Sequence, residues 1–149
     1  MSREERMDND LDATLIRYKK FIEELTDESV EEFRELASPN IRYRDPLMDA
    51  KGIDAVLAQM HKWFTDFDGL HFEIKDHARH GRQAFAHWRM TFRMKKNPKK
   101  LWELDGVSKT VLDDAGKIED QIDYWDASPL LESFPVLGKV VTLIKKLVA

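Results

Sequence analysis

Ala84-Phe85-Ala86-His87-Trp88-Arg89-Met90-Thr91-Phe92-Arg93-Met94 alternates: the even positions are apolar, and the odd ones are polar after Phe85. A period of two is what a β-strand imposes on side chains, so this stretch predicts a long strand with two distinct faces. Just upstream, Leu70, Phe72 and Ile74 alternate with His71, Glu73 and Lys75, giving a second strand that runs to Arg79. Downstream, Lys95 to Lys100 reads as a turn around Asn97-Pro98. Leu101–Leu112, the turn Asp113-Asp114-Ala115-Gly116, and Lys117–Trp125 then complete a meander of long antiparallel strands.

The N-terminal third has the other period. Leu11, Leu15, Tyr18, Ile22 and Leu25 recur in steps of four and three, which keeps one side of a helix apolar. Thr26-Asp27-Glu28 caps a short second helix through Val30, Phe33 and Leu36, stopped by Ser38-Pro39-Asn40. Ile41-Arg42-Tyr43-Arg44-Asp45 alternates as a short strand that runs into a loop at Pro46. After Gly52, the positions Ile53, Val56, Leu57, Met60, Trp63, Phe64 and Phe67 fall on one side of a third helix. Pro135–Ala149 reads as a short amphipathic helix, and the polar residues 1–9 are expected to be flexible. Three helices followed by a meander predict one α+β domain over residues 1–149.

Composition narrows the function. The chain has 149 residues, 24 Lys and Arg against 28 Asp and Glu, and a net charge of −4, so no basic excess is available for nucleic acid. With no cysteine there is no disulfide frame, thiolate metal site or cysteine nucleophile. Met1–Arg6 is no signal-peptide start and no long apolar run occurs, so a soluble, cytoplasmic domain is expected. The five histidines form no His-Glu-x-x-His helix, and glycine-rich phosphate loops and a Gly-x-Ser-x-Gly elbow are missing. Neither a metal nor any other cofactor is therefore expected.

Three stretches carry a resemblance: Tyr43-Arg44-Asp45-Pro46 followed by Gly52, Gln83 to Arg89, and Gly116-Lys117-Ile118 running into Ile122-Asp123-Tyr124-Trp125-Asp126. With the order of elements, they resemble the nuclear transport factor 2-like superfamily over about residues 11–137. That group contains the SnoaL-like cyclases, the ketosteroid isomerases and the limonene-1,2-epoxide hydrolases. The resemblance implies a cone: a curved antiparallel sheet with three N-terminal helices packed in it and a short C-terminal helix. Set against the isomerases, Tyr18 lies near the oxyanion-hole tyrosine, Asp45 falls on the general base, and Ser108 stands in place of a protonated aspartate. Set against the epoxide hydrolases, Asp123 falls on the water-activating carboxylate and Tyr43 and Asp45 on its water-holding partners. His87 and Arg89 then fall on the strand pair that includes the general acid, which here is arginine, leaving His87 as a proton donor.

Two carboxylates converging in an apolar hollow raise the pKa of at least one by desolvation and repulsion, which suits it for acid or base work. The plainer roles are a turn residue for Asp45 and a solvated strand position for Asp123. Trp63, Phe67, Phe85 and Trp125, with Tyr18 and Ser108, are the candidate lining for a small hydrophobic ligand, although core packing serves aromatics equally well. Alternation alone makes the even face of residues 84–94 the core. The resemblance instead puts Phe85, His87 and Arg89 inside the cone, exposes Trp88, Met90 and Phe92, and so predicts a homodimer through the sheets. The basic, amphipathic tail is expected to fold over the cone mouth or the dimer partner rather than to hold a membrane. Two functions follow: a cofactor-free enzyme acting on a small hydrophobic molecule by hydration, hydrolysis, isomerisation or cyclisation, or a non-catalytic binding or interaction module.

Overall fold

A capping box opens the first helix. The Glu5 amide donates to Ser2 Oγ and the Ser2 amide donates to the Glu5 carboxylate, which satisfies two otherwise orphaned N–H groups. In the computed structural model, which describes residues 1–149, this helix (α1) spans Arg3–Glu23 and so starts well before the apolar stripe at Leu11. A 3-10 turn, Val30–Glu35, replaces the expected second α-helix. The next full helix, α2, spans Ile53–Asp66.

The sheet has six strands: β1 Ala37–Asp45, β2 Met48–Lys51, β3 Phe67–His80, β4 Gln83–Met94, β5 Asn97–Leu112 and β6 Ile118–Trp125. Their order is β2-β1-β6-β5-β4-β3. Only β1 and β6 run parallel; the other neighbours are antiparallel. The fold is thus α+β with a curved, mostly antiparallel sheet and helices against it, as the sequence predicts. Three local readings change. Ser38-Pro39-Asn40 lies inside β1, where the pairing with β6 skips from Ala37 to Arg42, so proline's missing N–H interrupts no ladder bond there. Met48–Lys51 is a strand, hairpinned onto β1 by Asp45. Asn97 to Lys100 belongs to β5, which leaves Lys95-Lys96 as the turn.

The faces of β4 follow the alternation and not the resemblance. Trp88, Met90 and Phe92 are 5%, 7% and 1% exposed and belong to the core with Trp102 and Leu104 of β5. They are therefore not an outward dimer face, since burial within one chain already removes them from water. Phe85 is 40% exposed, and His87 and Arg89 lie on the same outer side. The physical reason is the strand period: a shift of one position exchanges the two faces, and the apolar set goes where it removes most surface from water.

Gly106 of β5 faces Trp88 across the ladder, and a Cβ built there would stand 2.3 Å from the indole. The bare backbone lets Trp88 lie flat against β5. Behind β6 come a short helix, α3 (Ser128–Glu132), and α4 (Pro135–Val148). α4 packs chiefly on α3 and leaves Leu143, Leu147 and Val148 exposed. No helix is long and apolar enough to cross a membrane.

Candidate active site

The inner face of β6 carries Gln121 and Asp123, two residues apart and so on the same side of the strand. Cross-strand register puts Ser108 of β5 opposite Asp123 and Tyr43 of β1 opposite Gln121. Tyr18 reaches them from α1. These groups form the polar end of a hollow of about 40 Å³ whose other walls include Ile22, Phe33, Val56, Met60 and Trp88.

Asp123 accepts three hydrogen bonds. Ser108 Oγ donates to Oδ1 at 2.6 Å, Gln121 Nε2 donates to the same oxygen at 3.0 Å, and the Tyr43 hydroxyl donates to Oδ2 at 2.7 Å. A carboxylate offers four acceptor sites, so one on Oδ2 is left for a ligand. Burial pushes the Asp123 pKa above its usual value, the three donors pull it back, and the charge of Asp45 adds to the rise. The result is a carboxylate more basic than a surface aspartate.

The hydroxyls are fixed in turn. Trp88 Nε1 donates to Ser108 Oγ at 2.9 Å, which turns the serine proton toward Asp123. Gln121 Nε2 also donates to the Tyr18 oxygen at 3.1 Å. The Tyr18 proton is thereby left pointing away from Gln121 and available to the hollow. Burial and the Asp123 charge raise the pKa of both Tyr18 and Tyr43, so both stay protonated donors at neutral pH. Asp45 serves two purposes. Its Oδ1 accepts the amides of Leu47 and Met48, the turn role expected of a residue before proline, while Oδ2 sits 3.4 Å from the Tyr43 hydroxyl. Tyr43 thus stands between two carboxylates, Asp123 inside and Asp45 at a wider mouth of about 210 Å³.

Of the expected residues, Tyr18, Tyr43, Ser108 and Asp123 meet in the hollow with Trp63 beside them, and Asp45, Phe67 and Trp125 line the mouth. His87 and Arg89 are elsewhere. Arg89 pairs with Asp105 and Glu103 on the outer face, and His87 lies 3.5 Å from Asp105, so neither touches Asp123. Phe85 borders a separate chamber beside α1. Ser108 spends its hydroxyl proton on Asp123 and so positions the carboxylate rather than replacing an acid. α4 is no lid: it lines only a shallow groove with Glu132, while Leu130 of α3 borders the mouth. Sequence reasoning overlooked Gln121 and the role of Trp88. The signal for Gln121 was its spacing alone, two positions from Asp123 and so on the same face of the strand.

The SnoaL-like domain family matches residues 18–121, some two-thirds of the chain, including Tyr18, Tyr43, Asp45, Ser108 and Gln121. Among solved structures, a candidate SnoaL-like polyketide cyclase from Jannaschia sp. CCS1 superposes with a TM-score of 0.72 at 16% identity, covering 86% of this chain and 93% of that one. A candidate isomerase of the SnoaL-like family from Agrobacterium tumefaciens C58 gives 0.62 at 20% identity, over 79% of this chain and 98% of its own. A Catenulispora acidiphila protein with a ketosteroid isomerase-like fold, solved with trimethylamine, gives 0.67 at 12% identity, over 79% and 88%. At such identities these structures share the fold and carry no chemistry across. No curated protein matches the chain in sequence. The matched span and the six-stranded cone agree: this chain belongs to the SnoaL-like domain family.

Proposed function

We propose that the protein is an enzyme that moves a proton on a small, largely apolar molecule, with Asp123 as the base and Tyr18 as the hydrogen-bond donor to the oxygen that gains charge. The observation that supports this is the pairing of one unfilled acceptor site on a recessed, basic carboxylate with one uncommitted hydroxyl proton, both bound to the same Gln121 amide. Abstraction of a proton next to a carbonyl suits that pair. The base takes the proton while the hydroxyl stabilises the enolate oxygen in a water-poor setting. Isomerisation and cyclisation both begin with that step, and two fold neighbours are described as a candidate isomerase and a candidate cyclase. Tyr43 connects Asp123 with Asp45, which gives the proton a route to the mouth.

The test is hydrogen–deuterium exchange at the α-carbons of phenylacetone in D2O, followed by NMR. The wild-type chain accelerates exchange over buffer, and Asp123→Asn lowers the rate by at least ~100-fold, the usual scale of acid–base catalysis. Equal exchange by the two proteins would sink the proposal. The narrowness of the inner hollow favours a second reading, a non-catalytic binding module. That reading predicts saturable ketone binding with no exchange above buffer.

A further inference from the structure

α4 does not fold back over the cone. It meets α3 through Gly138, where any side chain would strike the Glu132 carbonyl, and through the ion pair of Lys145 with Glu132. Gly138 and Lys145 are seven residues apart and so share one side of the helix. Val136, Val140, Leu143 and Leu147, in steps of four, three and four, form the opposite side. These four are 49–80% exposed, and Ile144 and Val148 beside them are more than half exposed. The helix is held by its polar edge and offers its apolar stripe to the surroundings. An apolar surface of that extent marks a contact site, unlike single hydrophobic residues scattered over a surface.

The charges beside the stripe say what it meets. Lys139 and Lys146 are exposed and form no ion pair, and no Asp or Glu occurs between 133 and 149. A second basic segment stands at the same end of the cone. Lys95, Lys96, Lys99 and Lys100 are exposed around the β4–β5 turn, and no carboxylate side chain lies among them. Lys95 donates from Nζ to the Phe64 carbonyl and from its amide to the Asp66 carbonyl. Asp66 lines the mouth that Leu130 of α3 also borders. On a chain of net charge −4, these two segments are a local reversal of sign.

A second copy of the chain fits the stripe poorly. Pairing two α4 stripes would set lysines against lysines, with no acidic side chain on the helix to answer them. A phospholipid surface fits on both counts, since its anionic headgroups meet the lysines and its acyl layer takes the stripe. The helix has 14 residues and none in the chain is long and apolar enough to cross a membrane, so α4 would lie in the plane of the surface.

We propose that α4 docks on an anionic bilayer, with Val136, Val140, Leu143 and Leu147 among the acyl chains. Lys139, Lys146 and the lysines of the β4–β5 turn then stand at the headgroups. This contact requires nothing of the Asp123 site.

Co-sedimentation of the full chain with phosphatidylcholine vesicles, with and without added phosphatidylglycerol, tests it. The anionic vesicles bind the wild-type chain at least tenfold more tightly than the neutral ones, and near-molar salt removes the difference. Leu143→Gln with Leu147→Gln, both at exposed positions, lowers binding to anionic vesicles at least tenfold. Lys139→Gln with Lys146→Gln lowers it by roughly twentyfold, as does Lys96→Gln with Lys99→Gln. Circular dichroism of each variant matches the wild type, which separates lost docking from lost folding. Equal binding to the two kinds of vesicle, binding to neither, or any of the three double variants binding like the wild type would overturn the proposal. Light scattering gives the remaining outcome. A wild-type dimer that Leu143→Gln with Leu147→Gln dissolves would assign the stripe to a second copy and overturn it too.

Discussion

Asp123 is pulled two ways, by burial that favours its neutral form and by three donors that favour its charge. Burial wins, and the sign carries over to two measurements. In the proposed role of base Asp123 would work only when ionised, so exchange activity should fall with acidification through a midpoint above the ordinary aspartate value of 3.8. In the folded chain the carboxyl keeps its proton to higher pH than in the unfolded chain. Raising the pH across that interval therefore removes wild-type stability, and below 3.8 both states are protonated and nothing is lost. The melting temperature of Asp123→Asn should accordingly gain on that of the wild type as pH rises from 3 to 7, and a constant difference would contradict the assignment. The carboxylates and tyrosines were legible because their residue types and order match a known pattern. Gln121 and Trp88 were not, because their role is to hold other side chains, and holding leaves no motif of its own.

At the level of elements, the long strand carried its own answer. The apolar even positions of β4 announced the core, and an ungapped match to relatives reversed the faces by a single position. Hydrophobic alternation is a direct statement about burial, whereas a strand-to-strand correspondence fails completely on a slip of one residue. Helix α2 and the meander were readable for the same reason. The β2 strand was not, since its four residues alternate too briefly to register. The β4–β5 pairing also gives a sharp mutational expectation. Gly106→Ala drives a methyl group into the Trp88 ring and should cost about 1–3 kcal/mol in a urea titration, as overpacked cores do. Because Trp88 orients Ser108, the same variant should also lose exchange activity, while a surface change such as Lys109→Ala keeps it. A fully active, equally stable Gly106→Ala protein would disprove the indole's place in the network.

Across the whole molecule, stability and site reside in the sheet, α1 and α2, and α4 stands apart. Deleting residues 136–149 removes an ion pair from Lys145 to Glu132 and a set of exposed apolar side chains, but little core. The shortened chain should melt within about 2 °C of the full one by circular dichroism, no more than the roughly 2–4 °C that 1 kcal/mol moves a domain this size. A large drop would show that α4 supports the cone. The amphipathic pattern of α4 was plain from the residues, but a pattern says what a helix wishes to cover and not where it goes. The sheet order has a further consequence. β6 lies between the β1–β2 hairpin and the β3–β4–β5 meander, so it is the keystone that turns two half-sheets into one. During synthesis both halves leave the ribosome before it, and neither owns the carboxylate that β6 brings. The β1–β2 hairpin and the β3–β4–β5 meander each keep a bare edge until residues 118–125 pair with both, and the same strand brings Asp123 to Tyr43 and Ser108.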